Sequence, residues 1–148
     1  MDRKFRSKVD GWFYIIVATF TVIPVIWLIL WMENGGSYLF AAVIFLISDA
    51  GLIYPIFLDT VYTFEPNGLR IKAGFVTNIQ IAYQDITGFF ETVESGPSPA
   101  LSGDRIRIDF RTEAGEAGRI LVSPAQKAAF MEMLNKKTAP YKDSERDM

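Results

Sequence analysis

The chain has 148 residues, half of them hydrophobic and 22% charged, a formal net charge of −2 and a mean hydropathy of +0.19. It contains no cysteine and no histidine, which excludes a disulfide framework, a thiol nucleophile, a zinc knuckle, a Ser-His-Asp triad and an HExxH metalloprotease. The acidic balance also argues against nucleic acid as a partner.

The first ten residues hold Arg3, Lys4, Arg6 and Lys8 and read as a basic N-terminus. From Gly11 to Met32 no charge interrupts the chain; as a helix this stretch spans roughly 33 Å, about the thickness of a bilayer's hydrocarbon core. A second span over residues 35–58 carries a single charge, Asp49. Only Glu33 and Asn34 separate the two, and Gly35, Gly36 and Ser37 continue the turn, so residues 11–58 read as a transmembrane helical hairpin. A cleaved signal peptide fits less well, because the apolar run is too long and no small-x-small site follows it. Two buried core helices fit less well still, since neither stretch has a polar face for water.

The basic flank and the absence of Lys and Arg from the inter-helix turn place the N-terminus in the cytoplasm by the positive-inside rule. Two crossings bring residues 59–148 back to the same side, giving a multi-pass protein of the cell membrane with both termini cytoplasmic. Within the spans, Asp49 has two readings, a functional carboxyl or one that fixes helix packing. A hairpin folded about Gly35 sets Asp49 at the depth of Thr21, near the Phe20 carbonyl that Pro24 frees. The lack of a basic partner in either span favours packing, on which view Asn at position 49 leaves function unchanged.

After Leu58 the apolar period becomes two. Ile106, Ile108 and Phe110 alternate with charged neighbours, as do Leu69, Ile71 and Ala73, the pattern of strands with one buried face. Turn signals at Pro66-Asn67-Gly68, at Gly96 to Pro99 and at Glu113 to Gly118 separate strands expected near 60–65, 68–74, 76–82, 86–93, 104–111 and 118–122. Ser123-Pro124 reads as an N-cap with proline at the first helical position. The helix it opens carries Phe130, Met133 and Leu134 on one stripe, and Lys136 and Lys137 in its last turn. Residues 138–148, which include Pro140, are expected to be a flexible polar tail.

Strands in meander order closed by one C-terminal helix are the pleckstrin-homology layout, and several stretches resemble the bacterial PH domains of the YyaB-like type. These are Tyr62-Thr63-Phe64 with Asn67 to Gly74; Ile81 to Ile86; Ser98-Pro99-Ala100-Leu101-Ser102-Gly103-Asp104-Arg105; and Ile120 to Pro124 before the helix. The resemblance covers residues 59–137. It implies a two-helix anchor followed by an α+β PH-like domain, an antiparallel curved sheet or partial barrel capped by the helix.

Ser98 to Arg105 is the stretch with the most distinctive composition. It reads either as a recognition loop presenting Ser98, Pro99, Asp104 and Arg105, or as a stiff turn in which Asp104 bonds loop amides and Arg105 packs across the sheet. Arg70 and Lys72 share one strand face, and Arg105 and Arg107 another, so a basic surface for anionic headgroups is a second possibility. Against it, acidic residues slightly outnumber basic ones after residue 58, and the Pro66-Asn67-Gly68 loop carries no basic residue where eukaryotic phosphoinositide-binding PH domains do. Carboxylates such as Glu91 with Glu94, or Asp104 with Asp109, specify no pocket, and no phosphate loop, metal-ligand spacing or cofactor motif is present. The expected role is therefore a non-catalytic interaction or regulatory module without metal or cofactor. Its expected partners are membrane lipids and an unidentified protein. The alternatives are an anionic-headgroup sensor and a homo-oligomer packed through Asp49.

Overall fold

The computed structural model describes residues 3–94, 96, 98–112 and 114–146, apart from the side chains of Phe57 and 142–146. Strand β1 (Arg3–Arg6) comes first. The apolar hairpin follows as α1 (Gly11–Asn34) and α2 (Tyr38–Ser48), with a π-helical turn over Asp49–Ile53 and a short α3 (Tyr54–Leu58). Gly35 and Gly36, both at positive φ, make the bend, and the Gly35 amide closes α1 on the Trp31 carbonyl. Both helices are long and apolar enough to cross a membrane. Their outward surfaces carry Ile15, Met32, Phe40 and Ile47, each about two-thirds exposed or more, whereas Pro24, Ala42 and Asp49 are enclosed where the helices meet.

The π turn has a local cause. Pro55 offers no N–H to the Gly51 carbonyl and its ring crowds that carbonyl, so the helical ladder slips by one residue and the Tyr54 amide bonds the Asp49 carbonyl instead. Thr21 of α1 shares a hydrogen bond with the Tyr54 hydroxyl at 2.9 Å, which ties the two halves of the hairpin together.

Beyond the hairpin come β2 (Val61–Phe64), β3 (Gly68–Ala73), β4 (Thr77–Ala82), a 3-10 turn at Tyr83–Asp85, β5 (Ile86–Thr92), β6 (Arg105–Arg111), β7 (Ala117–Val122) and α4 (Lys127–Arg146). Two antiparallel sheets result, of four strands in the order β1-β2-β3-β4 and of three in the order β5-β6-β7, with α4 against them. The strand positions follow the alternation in the sequence to within a residue or two.

Two expectations need correction and one an addition. The basic N-terminus also holds a strand the sequence did not reveal, Arg3–Arg6, the edge of the first sheet, paired residue for residue with Val61–Phe64. One buried apolar residue explains this: Phe5 packs edge-on against Phe64 at 5.6 Å and against Phe130 of α4 at 5.4 Å, inside a core with Tyr62, Leu69, Ile71, Ile106 and Leu134. The hairpin is thus inserted between the first and second strands of the domain. Ser123 does not cap α4, since its side chain and backbone bond other segments and the helix begins at Lys127. Finally, the helix does not end at Lys137. It continues to Arg146 through an exposed Pro140, because Thr138 extends the buried stripe of Phe130 and Leu134 by one turn and its hydroxyl donates to the Leu134 carbonyl.

Candidate interaction surface

The strand directions sort the connections into two ends. The β1–α1 linker, the α3–β2 junction, the β3–β4 turn and the β5–β6 loop lie at the hairpin end, together with the β7–α4 junction. The turns after β2, β4 and β6 lie at the other. At the hairpin end, the segment from Ser98 to Arg105 closes onto the linker that leads into α1.

Asp10 is the main contact. It stands at the N-cap position of α1 but makes no side-chain cap; Oδ1 accepts from the Ser102 hydroxyl and Oδ2 from the Gly103 amide, both at 2.7 Å. These two donors, the amide first, hold its carboxyl below the usual aspartate range. The Asp10 amide in turn donates to the Leu101 carbonyl at 3.1 Å. Asp104 accepts from Lys127 and from Lys8, which likewise lower its pKa, while Asp104 and then Glu91 raise that of Lys127. Arg105 donates to the carbonyls of Ser102 and Glu94. Pro99 accepts from the Tyr62 hydroxyl at 3.1 Å.

Tyr62, Ser7, Asp10 and Ser123 carry this junction; the sequence pointed to none of them for this role, reading Ser123 as a helix cap and Tyr62 only as part of a strand. The buried Tyr62 hydroxyl takes the Ser123 amide at 3.1 Å, Ser123 Oγ takes the Leu101 amide at 3.0 Å, and Ser7 Oγ lies 2.9 Å from Ser123 Oγ. Burial pushes the Tyr62 hydroxyl's pKa up. A bridge between Ser7 and Pro124 and the Ala125 amide on the Arg6 carbonyl join the ends of β1 and β7. The Ser98 hydroxyl is enclosed without a hydrogen-bond partner among the described residues, beside a cavity of about 400 Å³ whose lining includes Ile56, Val76, Ile79 and Arg119.

The cations fall into two groups. Arg70 is held by Glu65 through Nε and Nη2 and by Gln80. Arg107 is paired with Asp109 and Glu94. Lys72 is exposed, with no ion-pair partner among the described residues. Because directly paired residues share a sheet face, the register puts Lys4, Thr63, Arg70 and Gln80 in one outward row and Arg6, Val61, Lys72 and Asn78 in the next, nearer the hairpin. Lys4, Arg6 and Lys72 are therefore exposed cations on one face, with Glu65 beside Arg70. The four basic residues read from the sequence fall into two pairs: Arg70 and Lys72 on the first sheet, Arg105 and Arg107 on the other.

Asp49, Thr21 and Pro24 stay within the hairpin. Asp49 is 3% exposed and its Oδ1 has no hydrogen-bond partner among the described residues.

In comparison with protein families, residues 60–138, more than half of the chain, match the bacterial PH domain. Neither the curated proteins nor the solved structures gave a match.

Proposed function

The chain belongs to the bacterial PH domain family, and from that premise we propose that it is a non-catalytic interaction module anchored in the cell membrane and displayed on the cytoplasmic face. The observation that carries this reading is the strand pairing across the hairpin. The Ser7 amide donates to the Thr60 carbonyl at 3.1 Å, so the chain enters and leaves the two apolar helices at one point of one folded domain. If the helices cross the bilayer, everything outside them except the Asn34–Ser37 bend is on the same side. The exposed cations of that domain favour the cytoplasm as that side.

The partner's docking face is the outer face of the first sheet. The polar groups of the Ser98–Arg105 loop are largely engaged with the chain itself, whereas Lys4, Arg6 and Lys72 present charge outward and suit an acidic protein segment. The membrane tether raises the effective concentration of any partner confined to the same surface.

Photo-crosslinking from position 4 of the full chain in intact cells tests this. A discrete protein adduct that is lost on Arg6→Glu with Lys72→Glu is the expected result; absence of any protein adduct contradicts it. Adducts to lipid alone would support headgroup binding, a reading favoured by the placement of Arg6 and Lys72 in the row nearer the hairpin.

A further inference from the structure

We propose that the β3–β4 turn, Gly74-Phe75-Val76, is a third contact of this protein with the bilayer: an apolar wedge seated at the headgroup–acyl boundary beside α3. The proposal rests on the membrane reading of the two helices. It adds a contact that neither helix supplies.

Depth is the first argument. A Cβ built on Gly74 would lie 2.9 Å from both Ile56 N and Pro55 C, so the turn's backbone packs directly on the backbone of α3. Pro55 and Ile56 fall inside the second apolar helical segment, Tyr38–Ile56, roughly 3–5 Å short of the helix end at Leu58 by helical rise. Gly74, at φ +53°, is the residue that allows both the close approach and the turn. Phe75 and Val76 therefore project from a point level with the last turn of that segment.

Exposure is the second. Phe75 is 81% and Val76 64% exposed, a poor arrangement for a turn in water. Val93, 87% exposed on the β5–β6 loop, is at the same end. No large apolar residue is exposed at the turns of the opposite end, among the described residues. With two helices at one corner and the wedge beside them, the domain meets the membrane at a third point.

The absence of native cysteine makes the test direct. Single variants Phe75→Cys and Val76→Cys of the full chain, nitroxide-labelled in phosphatidylcholine–phosphatidylglycerol vesicles, are compared for collision with oxygen and with a water-soluble nickel chelate. Ile44→Cys on the outer surface of α2 and Asn67→Cys at the far end serve as references. The expected result is oxygen access exceeding nickel access at 75 and 76, as at 44, and the reverse at 67. Nickel access dominating at 75 and 76 while position 44 stays lipid-like overturns the wedge alone. Nickel access dominating at 44 as well overturns the membrane reading with it. Exclusion of both reagents at 75 and 76 shows a protein surface covering the turn, which also overturns the proposal.

Discussion

The Tyr62 hydroxyl sits where β2, the Ser98–Arg105 loop and the β7–α4 junction meet. Removing it leaves the Ser123 amide and the Pro99 carbonyl without that partner inside the protein; Tyr62→Phe is expected to cost about 1–3 kcal/mol. Urea unfolding in detergent measures it, and an unchanged midpoint would count against the hub. Acid tests the neighbouring contacts. Asp10 and Asp104 have lowered pKa values in the folded chain, so their contribution is fully present above the unfolded aspartate value of about 3.9 and is lost as pH falls through the folded values below it. The unfolding midpoint should therefore drop at acid pH, with a smaller drop in Asp10→Asn. The sequence marked Asp104 as a loop residue, but neither its lysine partners nor the contact of Asp10 was legible. Asp10 and Ser102 are 92 residues apart, and a lone Asp before an apolar helix reads as an ordinary N-cap.

At the scale of elements, alternation was plain in β3 and β6, each with one buried face and charged residues on the other, and turn residues marked off the other four strands after the hairpin. The first strand escaped the same logic. Arg3–Arg6 offers a single apolar residue among three cations, and those cations also satisfy a topology rule, which hid their place in a sheet. Phe5 gives the strand its stability, so Phe5→Ala should lose about 3–5 kcal/mol, whereas a free N-terminal arm would lose nothing measurable. A stronger consequence concerns the fragment 59–148, which lacks β1 and should not fold on its own. Joining residues 1–8 to residue 59 through a short Gly-Ser linker, with the hairpin removed, should yield a soluble domain with cooperative unfolding. Circular dichroism and thermal melts of the two constructions decide this; a cooperative melt from 59–148 alone would contradict the role given to β1. Pro140 misled in the opposite direction, because proline usually signals the end of a helix. Here its ring faces solvent and the buried Thr138 keeps α4 in register beyond it.

For the whole molecule, the separation into an apolar third and an ordinary globular remainder was visible in composition, since nearly half of the hydrophobic residues lie between Gly11 and Leu58. What composition cannot display is that the two apolar helices interrupt the domain between its first and second strands. The consequence is mechanical: both ends of the hairpin are tied into one sheet, so a load on the domain reaches the two helices together. In the proposed topology this sheet, including the strand before the hairpin, lies on the cytoplasmic side while the Asn34–Ser37 bend lies outside. Labelling of Lys4→Cys, Asn67→Cys and Asn34→Cys with a membrane-impermeant maleimide in intact cells tests it most directly. The proposed topology predicts reaction at position 34 in intact cells, and at positions 4 and 67 only after permeabilisation. Reaction at 4 or 67 in intact cells, or position 34 becoming reactive only after permeabilisation, would contradict it.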